Sequence, residues 1–288
     1  MLQRHFSSLT SGTISLSLNT LAQQHYENFP VGSRFIPKRY RKPIHLLYAF
    51  ARVADDLADE GTLTETERID RLDEWEYLLD ESLKGNAADQ FFEDLAEALK
   101  NHHLSPELLK DLLKAFRRDS GNPIYQSFDD VLDYCKYSAN SIGRLLLELF
   151  GCSNEQTIQH SDKICTALQL TNFWQDISVD TSRNRIYIPL TNLQYFGVTV
   201  EDFRTGQNSA AFTTMMKANI ERTKSLFLEG KTLINIVPRD FRFELALIWH
   251  GGMRVLEKIE QNHYDTRSIR PVLNTTDKAR VFFKALTS

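Results

Sequence analysis

Apolar residues recur at three- and four-residue intervals along most of the chain, as expected of helices that pack through one or two faces. The recurrence predicts a helix over 13–28, closed by Asn28-Phe29-Pro30, and another over 43–60. Pro43 falls in the first turn of the second, where a missing N–H costs no helical bond. Ile44, Leu47, Tyr48, Ala51 and Val53 then point mostly inward. Thr64 followed by Glu67 has capping-box spacing and opens a helix over 65–84, which Gly85 ends. Further helices are expected over 88–101, 106–119, 127–150, 154–179, 209–229 and 239–262, with short ones at 191–196 and 200–204. Small residues Ser138, Ala139, Ser141 and Gly143 interrupt the large ones in 127–150, which lets another helix or a bulky ligand come close to the backbone. Strand alternation is rare; Arg185 to Leu190 is the best instance, inside a Ser182 to Leu190 stretch expected to form a loop. The expected fold is all-α, a single domain over residues 1–288.

Composition narrows the function classes. With 288 residues and 42% hydrophobic content the chain can bury a large core without metal or disulfide staples. A net charge of −4, with acids and bases interleaved, argues against a nucleic-acid partner. Cys135, Cys152 and Cys165 match no zinc or redox spacing and read as structural thiols in a reducing, cytoplasmic-type compartment. No apolar run approaches the roughly 18 residues of a membrane span, and no signal-peptide pattern opens the chain.

Two oxygen-rich rows carry the candidate chemistry. Asp55 and Asp59, in Asp55-Asp56-Leu57-Ala58-Asp59-Glu60, stand four residues apart at the end of an apolar helix. They share a face about 6 Å apart, a separation that suits a bridged cluster of hard cations. Asn172, Asp176 and Asp180 repeat the four-residue step within an apolar helix, and Gln169 extends the line one turn earlier. A lone Asp-x-x-x-Asp is more often solvated surface charge, and the second row is also compatible with a buried hydrogen-bond network. Together they point to magnesium and a diphosphate, since no His or Cys accompanies them as zinc would require. Arg52 lies one turn before Asp56, and Arg183 and Arg185 follow the second row; Arg52 and Arg185 are the favoured phosphate partners. His25, His45 and His250 form no constellation.

The segments Tyr48-Ala49-Phe50-Ala51-Arg52-Val53-Ala54-Asp55-Asp56-Leu57-Ala58-Asp59-Glu60 and Gln169-Leu170-Thr171-Asn172-Phe173-Trp174-Gln175-Asp176, with Asp180 and Arg185-Ile186-Tyr187-Ile188-Pro189, resemble the squalene and phytoene synthase family over nearly the whole chain. The resemblance implies an isoprenoid synthase fold, with helices packed around a central apolar cavity. It implies Mg2+ and diphosphate binding at Asp55, Asp59, Asp176 and Asp180, supported by Asn172 and Arg52. An isoprenoid diphosphate is then the substrate, and peripheral contact with the inner membrane or with pathway enzymes would suit so greasy a molecule.

Three departures bear on the reaction. His25-Tyr26-Glu27-Asn28-Phe29 replaces the family's His-Ser-Lys-Ser-Phe, Gln175 stands where an Arg is usual, and polar Asn140 occupies a commonly smaller position. These changes count against a full two-substrate condensation, and the segments His25 to Pro37, Phe50 to Gly61 and Asn172 to Asp176 resemble the bacterial hopanoid-pathway branch that converts presqualene diphosphate and water to hydroxysqualene. No NADPH is needed in that reaction. Tyr26, Asn28 and Asn140 are then candidates to position water, and Phe29, Tyr48, Phe50, Phe173 and Tyr187 to line the cavity, each competing with plain core packing. The alternative is head-to-head condensation of two prenyl diphosphates.

Overall fold

A computed structural model describes residues 35–59, 61–205 and 209–288. The helix expected over 13–28, with His25, Tyr26, Asn28 and Phe29, lies outside the described residues, as does Arg34. Every regular element among the described residues is helical, as the periodicity requires. No helix among them is long and apolar enough to cross a membrane. The chain forms two compact units, one ending at Ser120 and the other spanning Gly121–Ser288.

The first unit contains α1 (Lys38–Asp59), α2 (Glu65–Leu83), α3 (Gln90–Asn101) and α4 (Pro106–Ser120). Helix α1 buries Ile44, Leu47, Phe50, Ala54 and Ala58, a stripe at helical spacing that packs on the other three. Phe50 is fully buried and stacks on Trp75 at 5.5 Å, and Trp75 meets Phe92 edge-on at 4.7 Å, so Phe50 is a core residue of this unit. Pro43 does not start the helix; α1 begins five residues earlier, at Lys38. An interior proline there forfeits one bond, to the carbonyl four residues before it, and its ring is buried. The capping box of α2 forms as predicted, with Thr64 N donating to Glu67 at 2.8 Å and Glu67 N to Thr64 at 3.3 Å. Arg68 donates to the carbonyls of Ala58, Gly61 and Leu63, and so satisfies groups that the end of α1 leaves bare.

In the second unit the order is α5 (Phe128–Cys135), a π-helical turn (Lys136–Asn140), α6 (Ser141–Leu149), α7 (Glu155–Gln175), α8 (Ile177–Ser182), α9 (Leu190–Phe196), α10 (Val200–Thr205), α11 (Ala210–Gly230), α12 (Leu233–Ile236), α13 (Arg239–Gln261) and α14 (Thr275–Leu286). Helix α7 is the centre: α6, the π turn, α11 and α13 all pack on it. Gly143 permits a close approach to α7, because an added Cβ would lie 2.6 Å from Ser161 Oγ and nearer still to Cys165 Sγ.

Two of the expected helices are interrupted, the expected loop is found, and one further helix appears. The helix expected over 127–150 is interrupted by the π turn, and the one over 154–179 breaks at Asp176, whose φ of −100° and ψ of 15° leave the helical range. The Ser182 to Leu190 stretch contains no strand; Leu190 N and Thr191 N donate to the carbonyls of Tyr125 and Gln126 at 2.9 and 3.1 Å. Helix α14 was not anticipated, although Asn274 and Asp277 carry its capping box.

Asp277 also ties α14 to α13. Its carboxylate accepts Arg254 Nε at 2.8 Å and Lys258 Nζ at 2.6 Å, while Asn274 N donates to it at 3.0 Å. Burial opposes the charge, but the bonds from Lys258, Arg254 and Asn274 outweigh it and bring the carboxyl down to about 2. The tie is therefore complete above 3.8, the ordinary value, and is lost as pH falls through about 2. Asp277→Asn should cost about 3 kcal/mol, because two cations lose their partner at a site only 3% exposed. Thermal unfolding at neutral pH checks this; an unchanged midpoint would show that the tie is idle.

Candidate functional site

The first acidic row occupies the last turn and a half of α1. Asp55, Asp56 and Asp59 are all half-buried, and Arg52 reaches two of them, Nη1 to Asp55 at 3.1 Å and Nη2 to Asp56 at 2.5 Å. Although 40% of the Asp55 side-chain surface is open, its carboxylate lies low among neighbouring atoms. Burial pushes its pKa up to about 7, the charge of Asp59 adds to the rise, Arg52 opposes it, and Asp56 and Asp119 add further. The four-residue spacing thus brings Asp55 and Asp59 near enough for the charge of one to act on the other. Asp119, on α4 and 6% exposed, is a carboxylate that the sequence analysis did not single out. Its heptad position among Leu109, Leu112, Leu113 and Ala115 was the available signal, since a buried acid on an apolar face needs a reason.

The second row lies where α7 gives way to α8. Asp176 N donates to Asn172 O at 2.9 Å and Asp180 N to Asp176 O at 2.8 Å, so four-residue hydrogen bonding carries the row across the break. Asn172, Asp176 and Asp180 are half-buried, as is Gln169 one turn earlier. Asp176 is gripped by Arg270 through both carboxylate oxygens, with Nη2 to Oδ2 at 3.1 Å. Arg270 was not singled out in the sequence, because it lies 94 residues away and only folding brings it there. Gln175, next to Asp176, is fully buried and donates to the carbonyl of Pro271.

Beside the row, Phe173 and Tyr187 stack at 3.9 Å with their planes 8° apart. Tyr134 lies 5.9 Å from each ring centroid, and Tyr125 packs on Tyr134 at 5.7 Å. The predicted pair is therefore the nucleus of a four-ring cluster, two members of which the sequence did not mark. Arg185 Nε donates to Asn122 Oδ1 at 3.1 Å, and its backbone N donates to Asp180 O at 2.8 Å. Arg183 is exposed. Asn140 closes the π turn, 7% exposed, and its Oδ1 accepts Thr166 Oγ1 of α7 at 3.1 Å. Tyr48 is half-buried on α1.

Other titratable groups do not join these residues. Burial raises the Cys135 and Cys165 thiols to about 12, which keeps them protonated and inert. Burial, helped by Lys284 and Lys231, lowers His250 to about 4, and its ring bonds Ser288 Oγ at 2.8 Å. Among the described residues no group of three or more His, Cys, Asp or Glu side chains is placed to hold a metal ion alone.

Comparison with known proteins gives these residues a setting. A family model described as squalene/phytoene synthase matches residues 22–277. The chain is 37% identical over 266 residues to a hydroxysqualene synthase of Rhodopseudomonas palustris, covering 91% of this chain and 88% of that one. It is 35% identical over 243 residues to a hydroxysqualene synthase of Sinorhizobium fredii, covering 83% and 81%. The crystal structure of a squalene synthase from Alicyclobacillus acidocaldarius superposes with a TM-score of 0.81 at 35% identity, over 88% of this chain and 95% of that one. A match of this extent in both sequence and fold shows that the chain belongs to the squalene/phytoene synthase family and processes isoprenoid diphosphates.

Proposed function

We propose that this enzyme converts presqualene diphosphate and water to hydroxysqualene and diphosphate. The observation that carries the proposal is the Asn172–Asp176–Asp180 row, held in register by backbone bonds and flanked by the Phe173–Tyr187 stack. Similarity to two hydroxysqualene synthases supports the choice of reaction.

The donor set fits Mg2+. All candidate ligands are hard oxygens, namely Asp55 and Asp59 on one unit and Asn172, Asp176 and Asp180 on the other. Magnesium commonly takes only one or two carboxylates and fills its octahedron with water and substrate phosphate, so a cage of three close acids is not needed. The pKa of Asp55 is raised mainly by burial, and the nearby charges of Asp59, Asp56 and Asp119 add to the rise against Arg52, so a bound cation would favour its ionised form. Bound there, the ion would stabilise charge on the departing diphosphate.

The chain's own residues do the rest. Arg52 and Arg270 bring fixed positive charge to the two rows, and Arg185 lies at the end of the second. Phe173 and Tyr187 offer an aromatic face to the carbocation, with Tyr134 beside them. Asn140, whose Oδ1 is taken up by Thr166, keeps its amide nitrogen for a water. Tyr26 and Asn28 remain further candidates to position that water, and Phe29, Tyr48 and Gln169 to contact substrate. The second reading, head-to-head condensation, uses the same rows with two prenyl diphosphates.

Presqualene diphosphate supplied with Mg2+ and no reductant should give hydroxysqualene, identified by mass. Inertness toward it, together with coupling of farnesyl diphosphate, would establish the condensing reaction instead. Asp176→Ala should lower turnover by at least about 100-fold while the helical circular dichroism stays constant. Asn140→Leu should shift product from the alcohol toward hydrocarbon by about tenfold, read by gas chromatography of total product. Because Asp55 is protonated below about 7, Mg2+ affinity should weaken as pH drops from 8 to 6, with proton release on binding seen by calorimetry in buffers of different ionisation heat. A pH-independent affinity would remove Asp55 from the ligand set.

A further inference from the structure

Gln175, the last residue of α7, and Asp176, which follows it, hold two consecutive residues of the segment that links α13 to α14. Gln175 donates to Pro271 O, and Asp176 accepts Arg270. The first contact is sealed: Gln175 is 0% exposed and Pro271 is also buried. The second stays partly open, with 23% of the Asp176 side chain and 32% of the Arg270 side chain exposed. A dry neutral bond therefore stands directly behind a wet ionic one.

The two contacts differ in what they can do. An ion pair open to solvent fixes geometry weakly, because water and a competing ion can replace either partner. A buried amide–carbonyl bond resists exchange, since breaking it strands two polar groups without water. Around Arg270 the segment is irregular: Ser268, Ile269 and Val272 are exposed and residues 269–274 form no helix, whereas upstream Thr266 is buried and Arg267 donates to Asp202 O at 2.8 Å and lies over the Phe212 ring. Arg270 is thus carried on an irregular segment whose inward contact is Pro271 on Gln175. Proline suits this anchor, because its ring fixes φ and it has no N–H to satisfy in the core.

We infer that Gln175 is a positioning residue, whose buried bond to the Pro271 carbonyl holds the Arg270 guanidinium over Asp176 and so supplies the cation of the second acidic row. The inference rests on the proposed role of that row in gripping diphosphate, but not on which product is formed. A glutamate at 175 cannot take over, because an ionised carboxylate has no hydrogen to donate to a carbonyl and would repel Asp176. Leucine fills the volume and leaves the carbonyl unmet. In either variant the linker loses its anchor while Arg270 and Asp176 remain in place chemically.

A double-mutant cycle tests this on the full-length enzyme with Mg2+, reading diphosphate release from whichever prenyl diphosphate the wild type turns over. Gln175→Leu should lower kcat about tenfold or more. Arg270→Lys should lower it comparably, because an ammonium cannot match both carboxylate oxygens. If Gln175 acts through Arg270, adding Gln175→Leu to Arg270→Lys should cost less than about twofold more. Multiplying effects would show that Gln175 acts elsewhere and would overturn the inference. Hydrogen–deuterium exchange supplies a readout independent of turnover: residues 267–273 should exchange faster in Gln175→Leu, while α11 and α13 keep wild-type protection. Unchanged exchange in that segment, or equal loosening of all three, would equally overturn it. Failure of the row's own role appears differently, as an Asp176→Ala enzyme that still releases diphosphate at the wild-type rate.

Discussion

A helix enclosed on nearly every side can carry polar residues only if each one finds a specific partner, because a buried group left unmet costs on the order of 1–3 kcal/mol. Helix α7 is under that constraint, and the second unit is organised around it. Trp174 Nε1 donates to Thr223 Oγ1 at 2.8 Å, and Thr223 passes its own hydrogen to Asn219 O at 2.8 Å, which fixes α11 against α7. Thr166 holds the π turn through Asn140, and Gln175 holds the linker through Pro271. Each bond specifies a register that apolar packing alone would leave loose. The acidic row is the continuation of this helix past its last buried turn, so its ligands inherit a rigid support.

The two rows meet the problem of concentrated negative charge in different ways. On α1, three aspartates crowd one helix end with Arg52 as the nearby cation, and Asp55 is left with a pKa near 7. On α7 and α8 the acids are spaced along the axis, and Asp176 has a bidentate partner in Arg270. In the first arrangement burial and, after it, the neighbouring carboxylates disfavour the charge on Asp55. The second presents fixed charge of both signs, which suits orientation of a phosphate as much as neutralisation.

The irregular backbone in this unit falls beside the same residues. The π turn ends at Asn140, the break in α7 falls on Asp176, and Asn122, which holds Arg185, has a φ of 48°. Regular helix would aim these side chains by periodicity alone; each interruption re-aims one of them. Each unit also has its own stabilising contacts, the Trp75–Phe92 cluster in the first and the Asp277 tie of α13 to α14 in the second.

Most of the helices were legible in the sequence, because burial of one face imposes a 3.6-residue period that composition cannot hide. The capping box at Thr64, the close approach at Gly143 and the four-residue step of each acidic row were legible for the same reason, being local geometry. The sequence by itself also carried the family, through two motifs whose order and spacing are specific. Tertiary structure decided what local rules cannot reach. The π turn, the break at Asp176 and the start of α1 before Pro43 depend on packing that overrides propensity by a few kcal/mol at most. The partners Arg270 for Asp176, Pro271 for Gln175 and Tyr134 for the Phe173–Tyr187 stack come from distant positions in the chain. Nothing in the residues between encodes such meetings; they follow only when the helices have been laid against one another and each buried polar group has taken the partner within its reach.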